Sequence, residues 1–217
     1  MNTEQALTNM VKQQIRACDV LDQALLDLMA TIPREDFVPH DYRHLAFAEM
    51  AIPLGYDQEM LTPLDEARIL QALHILPHET TLEIGTGSGY MTALLAKMSR
   101  HVESIDIFPD FTAAAQLKLA QHQINNVTLI TADAAQGWDE AKSYDVIVIT
   151  GSLPLLPNEF RLNLNPNGRL FVILGTAPVM EATLLTYTLR GSWQQEKLFE
   201  TIVPPLLNAK EPSLFAF

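Results

Sequence analysis

The sequence predicts an α/β fold: a doubly wound, mostly parallel seven-stranded sheet, with an antiparallel C-terminal hairpin at its edge and an N-terminal helical segment. Three observations predict it. Strand and helix patterns alternate through the middle of the chain. Gly85-Thr86-Gly87-Ser88-Gly89 stands where a strand gives way to a helix. Val146-Ile147-Val148-Ile149 is an unbroken β-branched run, as in central parallel strands buried on both faces.

The elements follow in order. Residues 4–32 hold two helical stripes, Val11, Ile15 and Cys18, then Leu25, Leu26, Met29 and Ile32, with Asp19 or Asp22 as cap of the second. Pro33 ends that helix, and 33–39 reads as an irregular strap over the core. Residues 46–61 read as loop or short strands. Thr62-Pro63-Leu64-Asp65 opens a helix through Ala67, Leu70 and Leu73: a capping hydroxyl, proline at the first helical position and an acid in the first turn. Strands are expected at 81–84, 101–107, 127–132, 144–150 and 169–174. Helices are expected from Ser88 onward, at 110–123 and at 157–164, and a turn at 165–168. Residues 184–190 and 196–203 flank Gly191-Ser192 as the antiparallel pair.

Composition narrows the function classes. With 217 residues, 48% apolar, the chain suits one domain with a sizeable core. No apolar run approaches the roughly 20 residues of a membrane span, and charges through the first 30 residues do not make a secretion signal. The single cysteine, Cys18, excludes an internal disulfide and fits a reducing, cytoplasmic compartment. The net charge of −12 without a basic cluster predicts no nucleic-acid and no membrane partner. His40 and His44 are four residues apart, but no third ligand accompanies them, so no metal is expected.

The glycine spacing decides among nucleotide-type ligands. It is G-x-G-x-G, not the dinucleotide G-x-G-x-x-G, and Tyr90-Met91 stand where a phosphate loop needs Lys-Ser/Thr. Glu83 precedes Gly85 by two positions. This pattern resembles the first motif of S-adenosylmethionine methyltransferases, in a Rossmann-like fold. The resemblance implies that Glu83, Gly85, Thr86, Gly87, Ser88 and Gly89 hold the methionine and ribose parts, with Glu83 toward the ammonium. Asp106, beside Ile107 at the end of the next strand, suits a ribose diol. Asp133, followed by the small Ala134, suits an adenine amine, and Thr150 borders the methyl-donor side.

A more specific likeness runs over nearly the whole chain. Ile32-Pro33-Arg34-Glu35-Asp36-Phe37-Val38-Pro39, Ile52-Pro53-Leu54-Gly55, Leu82 through Tyr90, Asn167-Gly168 and Val203-Pro204 resemble the protein-L-isoaspartate O-methyltransferases. The resemblance implies repair of damaged proteins by methylating L-isoaspartyl carboxylates with S-adenosylmethionine, by a monomer or weak dimer acting on a protein or peptide. It also implies a helical substrate-side cap over 1–76 and a cofactor-binding core over 77–217. One segment departs from the family. After Gly55 the family usually has His-Gly-Gln-Thr-Ile-Ser-Gln-Pro; here Tyr56-Asp57-Gln58-Glu59-Met60-Leu61-Thr62-Pro63 stands. Leu61 takes the place of the family's serine, and Asp57 and Glu59 add negative charge near an anionic acceptor. The substrate-side candidates are Gln58, Leu61 and Thr62, with no catalytic residue assigned. Two alternatives stay open at this point: a same-fold methyltransferase with another acceptor, and a non-catalytic S-adenosylmethionine-binding protein.

Overall fold

The computed structural model describes residues 3–139 and 141–211. The N-terminal region holds α1 (Thr3–Asn9), a π-helical turn over Met10–Ile15, a short 3-10 turn and α2 (Gln23–Thr31). Of the two candidate caps, Asp22 does the capping, accepting from the amides of Ala24 and Leu25. Asp19 instead takes the left-handed conformation (φ +66°) that ends the first helical stretch. Val11 and Ile15 are buried as their stripe predicts, whereas Cys18 is half-buried. The 33–39 strap contains a 3-10 turn at Arg34–Asp36, and a second covers His40–Leu45.

Residues 46–61 resolve into a two-stranded antiparallel hairpin, β1 (Ile52–Gly55) and β2 (Gln58–Met60). Then α3 (Pro63–Leu73) starts as its sequence directs: the Thr62 hydroxyl accepts from the Asp65 amide at 3.1 Å and Pro63 takes the first helical position.

The remaining elements form the seven-stranded sheet: β3 (Thr80–Ile84), α4 (Tyr90–Met98), β4 (His101–Asp106), α5 (Pro109–Gln121), β5 (Val127–Thr131), β6 (Tyr144–Leu153), α6 (Glu159–Leu162), β7 (Leu164–Thr176), β8 (Val179–Tyr187) and β9 (Trp193–Glu200). The order is β5-β4-β3-β6-β7-β8-β9, parallel up to β7 and antiparallel for β7–β8 and β8–β9. The run in β6 explains the double winding. Val146 and Val148 join the apolar cluster that includes α2, α3 and α4, while Ile147 and Ile149 join the cluster under α6; all four are fully buried. Successive side chains of a strand point to opposite faces, so both faces need cover.

Several boundaries differ from the sequence reading: α6 is shorter than 157–164, β6 runs on past 150 to Leu153, and the last strand is Trp193–Glu200 rather than 196–203. The expected turn at 165–168 lies inside β7 as a bulge, with Asn167 at φ +67° and the register jumping between Leu164 and Arg169. β8 begins at Val179 rather than 184, because it pairs with β7 along its whole length as well as with β9. Among the described residues no helix is long and apolar enough to cross a membrane.

Candidate active site

The chain leaves β3 toward β4 and β5 on one side and later returns to β6 on the other. That makes the C-terminal end of β3 the switch point where open α/β sheets bind ligands. The glycine loop sits there. All three glycines have positive φ: Gly85 +100°, Gly87 +51°, Gly89 +83°. Their surroundings differ. A Cβ on Gly85 would lie 2.2 Å from Thr150 Oγ1, and one on Gly89 2.9 Å from the Ala115 Cβ of α5; these two allow close packing. A Cβ on Gly87 would enter the cleft, 3.2 Å from Leu54 Cδ1.

The cleft encloses about 870 Å³, including space open to solvent. Of the sequence-derived candidates, Gly85, Thr86, Gly87, Ser88, Asp106, Ile107, Asp133, Ala134 and Thr150 line it, as do Gln58 and Leu61 on the opposite wall. Three candidates lie elsewhere. Gly89 faces α5. Thr62 is the helix cap of α3. Glu83 is fully buried and is not part of the lining. Its Oε2 accepts from Thr92 Oγ1 at 2.5 Å and Ser104 Oγ at 2.6 Å, and its Oε1 has no partner among the described residues. Burial pushes its carboxyl up to about 8, with the Asp106 charge adding to the shift. Glu83 thus lies beneath the glycine loop rather than in the lining, held by Thr92 and Ser104.

Asp106 ends β4 and turns back on the loop. Its Oδ2 accepts the Gly87 amide at 2.8 Å and its Oδ1 the Phe108 amide at 2.9 Å. Burial raises its carboxyl above the usual range, against the pull of these amides. Asp133 accepts from Ala135 N at 3.0 Å and Asn208 Nδ2 at 2.8 Å. The Thr150 hydroxyl donates to the carbonyls of Ile84 and Gly85 at 3.0 and 2.8 Å. From α5, Lys118 Nζ donates to the carbonyls of Phe37 and Ser88 at 2.7 and 3.3 Å, tying the loop to the strap.

Sequence reasoning missed two walls. Val203, Pro204, Leu206 and Leu207 line the cleft because the segment after β9 is stitched to the end of β6: Ser152 N donates to Pro204 O, and Leu206 N to Ser152 O, both at 3.0 Å. The likeness around Val203-Pro204 was the available signal. Glu66 of α3 is the second. It pairs with the fully buried Arg34, whose guanidinium also donates to Ala46 O at 2.9 Å and Leu61 O at 2.7 Å and stands 4.9 Å over the Tyr90 ring. Burial pushes the Glu66 carboxyl up to about 7, Arg34 opposing the shift. Arg34 thus fixes the backbone of Leu61, which lines the cleft.

Every charged residue in the lining is acidic: Glu59, Glu66, Asp106 and Asp133. These carboxylate acceptors, with the space a Cβ on Gly87 would fill and apolar Ile105 and Ile107 beside it, fit an adenosyl ligand of net positive charge. Among the described residues no group of three or more His, Cys, Asp or Glu is placed to hold a metal ion.

A parallel sheet whose central strand opens into a glycine loop, with acids ending the next two strands and no phosphate-binding lysine, is the fold and site of an S-adenosylmethionine-dependent methyltransferase. Comparison with known proteins narrows the class. The model of the family described as protein-L-isoaspartate(D-aspartate) O-methyltransferase (PCMT) matches residues 4–209. The chain belongs to this family. A protein-L-isoaspartate O-methyltransferase of Gloeobacter violaceus is 36% identical over 202 residues, covering 93% of this chain and 98% of that one. One from Anaeromyxobacter sp. is 38% identical over 172 residues, covering 79% and 81%. A Plasmodium falciparum chain assigned to the same family, solved in complex with S-adenosyl-L-homocysteine, superposes with a TM-score of 0.79 over 95% of this chain and 98% of that one. At 18% identity the likeness is one of fold.

Proposed function

We propose that the chain is an S-adenosylmethionine-dependent methyltransferase that methylates L-isoaspartyl carboxylates in damaged proteins. The observation that carries this is a cofactor-type cleft, built on the glycine loop and the acids of β4 and β5, in a chain that matches the family over nearly its whole length.

When bound, the cofactor supplies a methyl group on a positively charged sulfur. Gly85 through Ser88, Asp106 and Asp133 would hold it, and its methyl group would pass to an acceptor carboxylate oxygen as the bond to sulfur is given up, yielding a methyl ester and S-adenosylhomocysteine. A carboxylate is already ionised, so no residue has to remove a proton, and catalysis is largely alignment. The residues of this chain do the aligning. Gly87 admits the ligand, Asp106 holds the Gly87 amide and faces the ribose position, and Asp133 with Ala134 borders the adenine position. Gln58 and Leu61 form the acceptor wall, set by Arg34. Residues 1–76 serve as the substrate-side cap on the 77–217 core. The excess of acid without a basic cluster supports a peptide rather than a nucleic-acid or membrane partner, the single cysteine supports a cytoplasmic setting, and a monomer or weak dimer completes the reading.

The test is methyl transfer from labelled S-adenosylmethionine to an isoaspartyl peptide beside its normal aspartyl twin. Transfer to the isoaspartyl peptide alone supports the reading. Tight cofactor binding with transfer to neither peptide overturns the acceptor assignment.

A further inference from the structure

The β1–β2 hairpin turns on two residues, Tyr56 (φ +54°) and Asp57 (φ +56°), both in the left-handed region. Such two-residue turns are ordinarily made of Asn, Asp or Gly, and an aromatic residue at the first position is an unfavourable choice. Contacts made outside the hairpin offset it. The Tyr56 ring stacks on Phe108, centroids 4.2 Å apart and planes 13° from parallel, and meets Phe111 edge-on at 5.7 Å. Its phenol donates to Asp110 Oδ2 at 2.6 Å. Phe108, Asp110 and Phe111 belong to the β4–α5 junction. The cleft runs between the two segments, with Leu54, Gln58 and Glu59 on one wall and Ile107 and Phe108 on the other. Tyr56 is also 53% exposed. It spans the outside of the cleft and does not belong to the apolar core.

Resting on the methyltransferase reading, we propose that Tyr56 is a positioning residue that clasps the β1–β2 hairpin to the β4–α5 junction and holds the cofactor cleft closed during methyl transfer. The hairpin leads directly into Leu61, so the clasp also sets the distance between the acceptor wall and the glycine loop. Exchange of spent for fresh cofactor requires the ring to leave Phe108 and the phenol to leave Asp110. The two contacts are separable: Tyr56→Phe keeps the stack and removes the hydrogen bond, and Tyr56→Ala removes both.

The experiment measures S-adenosylhomocysteine dissociation by stopped-flow displacement in the full chain and both variants, with KM, kcat and Tm from the same preparations. Tyr56→Ala is expected to speed dissociation about tenfold and raise the cofactor KM, and Tyr56→Phe about threefold, the scale of one aromatic stack and of one hydrogen bond weakened by solvent exposure. Because Tyr56 lies outside the core, Tm should stay within about 2 °C. Dissociation at the wild-type rate in both variants overturns the clasp, and so does a loss of Tm with an unchanged rate, which marks a purely structural residue. A wild-type chain that fails to bind S-adenosylhomocysteine removes the methyltransferase reading and the clasp with it. Binding and turnover with an unaltered Tyr56→Ala rate removes the clasp alone.

Discussion

Asp106 accepts the amide of Gly87 at 2.8 Å, so the acid that ends β4 and the glycine that opens the cleft are one hydrogen-bonded unit. Asp106→Ala removes the acceptor for both Gly87 and Phe108 while deleting the carboxylate proposed to face the ribose. Cofactor affinity should fall at least about tenfold, the scale of a lost charge-assisted hydrogen bond. Calorimetry checks it; an unchanged Kd would reduce Asp106 to a brace for the turn before α5.

The glycines separate by location. Gly87→Val places a β-branched side chain at φ +51° in the cleft, so cofactor binding should be lost while the fold persists. Gly89→Ala drives a Cβ against Ala115, outside the cleft, so it should lower Tm first. Thermal melts beside binding isotherms distinguish the two, and similar behaviour of both variants would sink the division.

Glu83 links the site to pH. Its folded carboxyl, near 8, lies above the ordinary value of 4.5, so from about pH 4.5 to 8 the unfolded chain releases a proton that the native chain keeps. Stability therefore falls as pH rises through that window. Glu83→Gln keeps the shape and removes the titration. Relative to wild type it should gain stability with rising pH, by about 2–4 kcal/mol at pH 8 and close to nothing at pH 4. Urea melts at several pH values give the comparison, and a pH-independent difference would refute it.

Each nitrogen of the Arg34 guanidinium has a buried partner. Arg34→Ala leaves Glu66 buried without its cation and strips donors from Ala46 O and Leu61 O. A loss of about 3–5 kcal/mol is expected, measurable by denaturant unfolding. A cost under about 1 kcal/mol would mean that the strap relaxes around the gap.

Leu61 is 8% exposed and lines the cleft, on the side proposed for the acceptor. Leu61→Ser should raise kcat/KM for the isoaspartyl peptide by restoring a hydroxyl, while lowering stability by about 2–4 kcal/mol through the cavity left behind. Equal or lower kcat/KM in folded variant protein would show that the leucine is no handicap to this acceptor.

Much of this was legible in the chain. Alternating patterns, the Val146–Ile149 run and the G-x-G-x-G junction are local signals, and local signals give element type, order and the strand ends where a ligand sits. Thr62 and Pro63 announced the start of α3 because capping is settled within four residues. The remainder depended on partners far along the chain. Sequence alone treats three glycines alike; Thr150, Leu54 and Ala115 give them different duties. Glu83 looked like a ligand by position, but Thr92 and Ser104 close around it. Residues 203–207 became a wall only because Ser152 binds them, and Tyr56 became a bridge only because Phe108 and Asp110 face it. The sequence by itself determined the fold class, the family and the place of the cofactor cleft. Tertiary structure decided which side chains reach that cleft, because side-chain direction and burial are set by packing between distant segments, which no local pattern records.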